Sequence, residues 1–157
     1  MALLQLLFPR PRAADGRARA FGDIAIAFDL DGWRLAPTCL GEALRFVWPR
    51  STGSLELSRA GLARLITPAT DGRWLAEAAL RRVRAYGAAM ERVGVAPHVV
   101  PSERLGIATV SGELAGLTVQ AWAYCHPTGL VVLSWSGDPD DIAWAAAAKV
   151  AASARVS

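Results

Sequence analysis

Residues 105–136 read LGIATVSGELAGLTVQAWAYCHPTGLVVLSWS, and this stretch decides the fold. Bulky and small or polar residues alternate through it with period two, the pattern of strands whose two faces meet different surroundings. Leu105 to Glu113 forms a first strand, Leu117 to Cys125 a second and Leu130 to Ser136 a third. Leu-Ala-Gly joins the first pair and His126-Pro127-Thr128-Gly129 the second. Links this short cannot hold a crossover, so neighbouring strands must run antiparallel and the stretch is a meander.

Upstream, GDIAIAF at residues 22–28 sets Ile24, Ile26 and Phe28 between small residues, which predicts a strand with one bulky face. An Asp31-Gly32 turn follows. Leu44, Phe46 and Trp48 repeat the alternation, residues 49–53 supply turn formers, and Leu55 and Leu57 continue it, so residues 44–57 read as a hairpin.

Between hairpin and meander, Ala76, Leu80, Val83, Tyr86, Met90 and Val93 recur at helical spacing. Asp71 stands where an N-cap belongs and Gly94 where a C-cap belongs. Arg73, Glu77 and Arg81, four apart, line the opposite, solvated side. After the meander come Asp138, Pro139, Asp140 and Asp141, read as a capping Asp, a proline at the first helical position and two acids facing the positive end of the dipole. An alanine-rich helix with Lys149 and Arg155 near its other end follows. The order predicts an α+β domain: an antiparallel β-sheet, built of a hairpin plus a three-strand meander, flanked by a long middle helix and a C-terminal helix.

The chain has 157 residues, enough for one core without disulfides or a structural metal. Its net charge of +3 resides in residues 1–20, where Arg10, Arg12, Arg17 and Arg19 face only Asp15. From Phe21 onward 13 basic residues balance 13 acidic ones, so the sequence divides into a basic N-terminal segment, 1–20, and a single domain, 21–157. A basic arm with no recognition helix, zinc-finger spacing or aromatic RNA-binding motif behind it makes nucleic acid an unfavoured partner. Leu3, Leu4, Leu6, Leu7 and Phe8 suit a short helix docked on the core, or an amphipathic helix that brings the arginines to an acidic surface. No basic n-region or cleavage site accompanies them and no stretch is long enough to span a membrane, so the expected compartment is the cytoplasm.

Cys39 and Cys125 share no metal or redox spacing, and no cofactor is indicated. Cys125 and His126 are neighbours on a strand, so they point to opposite faces and cannot act on each other. IAIAFDLDGW at residues 24–33 resembles the first motif of the haloacid dehalogenase-like phosphatases, and residues 137–142 resemble that family's acidic motif. The resemblance implies a Mg²⁺-dependent enzyme with Asp29 as nucleophile and Asp31 as general acid. Against it stand Trp33 in place of the family's Thr or Val, the lack of a lysine between the motifs, and short links where the family needs parallel strands joined by helices.

The second strand of the meander separates its residues cleanly. Thr118, Gln120, Trp122 and Tyr124 share one face while Leu117, Val119, Ala121 and Ala123 share the other. Aromatic rings with polar neighbours are the composition of a recognition surface, unless a helix covers them.

Taken whole, residues 21–156 resemble the DcrB- and PsbP-like family of small α+β domains. FDLDGW, the strand ending Leu-Glu-Leu-Ser-Arg, the long amphipathic helix, GLVVLSWSG and the closing AASARV carry the resemblance. Asp31 replaces the proline common before Gly-Trp, and the export signal many members carry is absent. The resemblance implies a non-enzymatic fold that docks proteins, like the bacterial cytoplasmic members that look like adaptors or chaperones of secreted effectors. The expectation is therefore an adaptor, chaperone or immunity-type protein. It would bind another protein through Thr118, Gln120, Trp122 and Tyr124, with an edge strand free to support a homodimer.

Overall fold

The computed structural model describes residues 17–19, 21, 23–37, 43–60 and 72–157. The meander is its centre. β7 (Gly106–Leu114), β8 (Leu117–His126) and β9 (Gly129–Gly137) pair antiparallel without a break in register, from Gly106↔Cys125 to Leu114↔Leu117 and from Thr118↔Gly137 to His126↔Gly129. In the first link Ala115 and Gly116 both take positive φ, 50° and 77°. That mirror-image turn follows the twist of the strands it joins.

The hairpin is present as β4 (Ala43–Val47) and β5 (Ser54–Ala60), and β5 pairs with β9, so hairpin and meander share one sheet. β3 (Arg34–Ala36) and β6 (Arg92–Val100) form its two edges in the order β3-β4-β5-β9-β8-β7-β6, with every pairing antiparallel. The α+β class holds.

Several details correct the sequence reading. The meander has a fourth strand, β6, where Val93 and Gly94 were expected to finish a helix. α1 (Gly72–Ala89) stops earlier, and Glu91 N donates to Glu113 O at 2.9 Å as the chain enters the sheet. Gly94 and Pro97 suggest a loop in isolation, but an edge strand accepts both because its outer side owes no ladder bond. Register shifts between Val93, Val95 and His98 absorb them.

The strand at Ile26 does not join the large sheet. β2 (Ile26–Asp29) lies between β1 (Arg17–Arg19) and β10 (Arg155–Val156) in a second, three-stranded antiparallel sheet. That sheet begins inside the segment that charge sets apart as 1–20. Asp71, Cys39 and the apolar residues 3–8 lie outside the described residues.

Each face of the large sheet carries a helix. Leu75, Ala78, Ala79, Val83 and Gly87 of α1 pack on Ala108, Val110, Ala121, Ala123, Cys125 and Val132. This stripe is rotated from the expected one, and Leu80, Tyr86 and Met90 sit at its margin. The cause is small residues: a Cβ on Gly106 would lie 2.1 Å from the Leu75 carbonyl, so the helix backbone rests directly on the strand. On the other face α2 (Ala143–Ala152) and β2 enclose Phe28, Leu57, Tyr124, Leu133 and Trp135.

α2 starts five residues after Asp138, and Asp138 does not cap it. Residues 138–141 form a turn in which Asp141 N donates to Asp138 O at 3.0 Å. Asp141 supplies the capping oxygen instead, accepting from Ala143 N at 2.8 Å.

Candidate functional site

α2 crosses one face of the large sheet and leaves two features beside it, an uncovered area of β6–β8 and a cleft against the small sheet. Register places the first. His98, Thr109 and Trp122 lie in one row, Val95, Ser111 and Gln120 in the next, and Glu113 beside Thr118 in a third. Thr118, Gln120 and Trp122 are half-buried, and Val95 is 50% exposed. Gln120 Nε2 donates to Thr109 Oγ1, which orients the amide across the strands.

Tyr124 does not belong to this surface. It is 1% exposed, its ring meets Phe28 edge-on at 5.1 Å, and its hydroxyl donates to Ala151 O at 2.7 Å. Burial pushes the phenol far above its ordinary range. The expected row of four is therefore three residues, because α2 lands on the end of β8 where Tyr124 stands.

Trp144, which the sequence did not single out, takes the vacated role. It stands on α2, stacks on Trp122 at 6.1 Å with 21° between the ring planes, and tilts against Trp135 at 5.3 Å. Trp135 is buried while Trp144 stays 36% exposed, so the stack forms a wall between helix and open sheet. Only its tertiary partner β8 distinguishes Trp144 from a core tryptophan.

The cleft lies on the other flank of α2, with a volume of about 480 Å³. Asp29, Asp31, Trp33 and Trp48 face Ile142, Ala146 and Lys149 across it. Trp33 and Trp48 meet edge-on at 5.2 Å. The Asp31-Gly32 turn is present, with Trp33 N donating to Leu30 O at 3.0 Å. Gly32 takes φ 81°, and a Cβ there would meet the Trp48 ring at 2.8 Å, so both backbone and packing require glycine. Asp29 Oδ1 accepts from Asp31 N at 3.2 Å, and Asp29 N donates to Ser153 Oγ at 2.8 Å.

The carboxylates of the phosphatase motif thus sit together and exposed, but in a different frame. β2 pairs antiparallel with both its neighbours, where that family's nucleophile needs a parallel strand running into a helix. The second acidic motif is engaged elsewhere. Asp141 accepts from Ser51 Oγ at 2.7 Å and from Gly53 N at 3.2 Å as well as capping α2, which clips the β4–β5 turn to the helix. Partial burial pulls its pKa upward, but the hydrogen bonds from Ser51 and from the backbone of Ala143, Gly53 and Thr52 outweigh it and hold the carboxyl below its ordinary value.

Cys125 is buried beneath α1, where burial, partly offset by Arg81, pushes its thiol up to about 11. His126 belongs to the opposite face and pairs with Thr128 Oγ1 at 2.8 Å, its pKa lowered by burial. His98 Nδ1 lies 3.0 Å from Ala96 O on the edge strand. Among the described residues no group of three or more His, Cys, Asp or Glu side chains could hold a metal ion.

Comparison with solved structures supplies the fold's relatives. The solution structure of cyanobacterial PsbP (CyanoP) from Synechocystis sp. PCC 6803 matches 90% of this chain and 91% of its own, with a TM-score of 0.52 at 13% identity. The fold is PsbP-like. A crystal structure from Bacteroides thetaiotaomicron is similar over 85% of this chain and 45% of its own, with a TM-score of 0.47 at 14% identity. No protein-family model and no curated protein matches the chain. The PsbP half of the expected resemblance therefore holds at the level of fold, and such identities carry nothing finer. Among the described residues no helix is long and apolar enough to cross a membrane.

Proposed function

We propose that this chain is a non-catalytic protein-binding domain of the bacterial cytoplasm, an adaptor, chaperone or immunity-type protein whose partner is linked to a secreted effector. The observation that carries the reading is the Trp122–Trp144 stack beside the uncovered face of β6–β8. A half-exposed aromatic wall next to Gln120 and Thr118 joins contact area to hydrogen-bonding edges, which is how protein interfaces concentrate their binding energy. The PsbP-like fold supports it by analogy only.

The test uses two substitutions that point outward and leave the core alone. The tagged chain should retain one protein in stoichiometric amount from the lysate of its native organism. Thr118→Arg and Gln120→Arg should weaken that complex at least about tenfold, the loss of one good contact of roughly 1.4 kcal/mol, with an unchanged Tm. Glu77→Arg, on the solvent side of α1, should bind as the unaltered chain does. Equal retention by all three variants would remove the β6–β8 face from the reading.

A further inference from the structure

The cleft on the far flank of α2 has no part in that reading. Its helix wall is a single stripe, in which Ile142, Ala145, Ala146, Lys149 and Ser153 recur at helical spacing. Hydrogen bonds fix what stands opposite each end of the stripe. Ser153 Oγ accepts from Asp29 N at 2.8 Å, so Asp29 and Asp31 line the cleft at the C-terminal end of α2, where Lys149 lies one turn before Ser153. At the N-terminal end Asp141 accepts from Ser51 Oγ at 2.7 Å, and Ser51 N donates to Trp48 O at 3.1 Å, which brings Trp48 to the end that Ile142 occupies.

The cleft is thus divided along its length. One end carries two carboxylates, an amine and a hydroxyl, and the other carries indole rings, alanine and Ile142, whose side chain is 63% exposed. Among the described residues neither Asp31 nor Lys149 has an ion-pair partner, so charges of both signs face the cleft without neutralising each other. A small molecule that carries an ammonium and a carboxylate on one head and an apolar group beyond them would meet every one of these groups. The pair of carboxylates and the negative end of the α2 dipole favour the ammonium most. The volume of about 480 Å³ falls within the range of small-molecule sites.

We propose that this cleft binds a free α-amino acid with a large apolar side chain. The ammonium sits between Asp29 and Asp31, the carboxylate on Lys149, and the side chain against Trp48 and Ile142. The Asp-x-Asp pair then recognises a cation and performs no chemistry.

Calorimetric titration of the full chain with three probes tests this: L-phenylalanine, its amide, which lacks the carboxylate, and its N-acetyl form, which lacks the ammonium. L-phenylalanine should bind, and each blocked form should bind more weakly by about tenfold or more, the loss of one charge-assisted contact. Asp31→Asn and Lys149→Gln alter exposed side chains and should leave the Tm unchanged. Asp31→Asn should weaken L-phenylalanine by about tenfold. Lys149→Gln should weaken it as much, yet leave the amide no weaker than before, because the amide offers Lys149 no carboxylate. The proposal would be overturned by no binding of L-phenylalanine at millimolar concentration, by equal binding of the three probes, or by equal losses for the amino acid and its amide in Lys149→Gln. Tighter binding of the amide than of the amino acid would overturn it in favour of a simple amine.

Discussion

Removing the Asp141 carboxylate should release α2 from the β4–β5 turn. The side chain accepts from Ser51 Oγ at 2.7 Å, Ala143 N at 2.8 Å and Gly53 N at 3.2 Å, so Asp141→Ala deletes a helix cap and a tertiary clip together. Loss of the cap costs about 1 kcal/mol. The two remaining bonds to a charged acceptor add about 1–2 kcal/mol, taken at the low end because the group is half-buried and screened by solvent. The total of about 2–3 kcal/mol is a large part of the roughly 5–15 kcal/mol that holds an ordinary domain together. Urea unfolding of both proteins at pH 6 and at pH 2.5 measures it. The carboxyl's folded pKa lies below its ordinary value of 3.8. Its contribution is therefore complete above that value and fades as pH falls through the folded pKa. The difference between the two proteins should be full at pH 6 and much reduced at pH 2.5. A difference under about 0.5 kcal/mol at pH 6, the scatter of an ordinary surface substitution, or one that does not shrink in acid, would refute the clip.

Other expectations follow from single contacts. Tyr124→Phe leaves Ala151 O without its donor and should cost about 1–1.5 kcal/mol in urea unfolding, with retention of the partner unchanged; weakened binding at an unchanged Tm would return Tyr124 to the interface. Ala115→Asn puts a residue tolerant of positive φ into the β7–β8 turn and should stabilise by up to about 1 kcal/mol, read as a rise in Tm. Gly106→Ala sets a Cβ 2.1 Å from the Leu75 carbonyl. It should displace α1 at a cost of about 3 kcal/mol, and an unchanged urea midpoint would mean the helix sits farther from the sheet. Cys125, with its thiol pushed up to about 11 and buried, should react with a maleimide only as fast as the chain opens. Rapid labelling at neutral pH would contradict its burial.

Much of the fold is legible locally. Period-two alternation and two very short links made β7, β8 and β9 antiparallel neighbours before any contact was known, because side chains must alternate and no short link can cross over. The β4–β5 hairpin was readable for the same reason. Where reading failed, the deciding partner was remote. Gly94 and Pro97 mark a loop by local rules, yet β6 is a strand because β7 offers it an edge. Asp138 has the better capping context, yet Asp141 caps α2 because Ser51 and Gly53, some ninety residues earlier, fix its carboxylate, Ser51 on the capping oxygen and Gly53 on the other.

The candidate site divides along the same line. Alternation alone determined that Thr118, Gln120, Trp122 and Tyr124 share a face, since a strand leaves its side chains no other choice. Only the tertiary structure decided how much of that face is covered. α2 buries Tyr124, half-covers Trp122 and adds Trp144 from a helix that begins beyond the sheet. Coverage depends on where a helix docks, and docking is set by shape and by small residues from several strands at once, which no local period encodes.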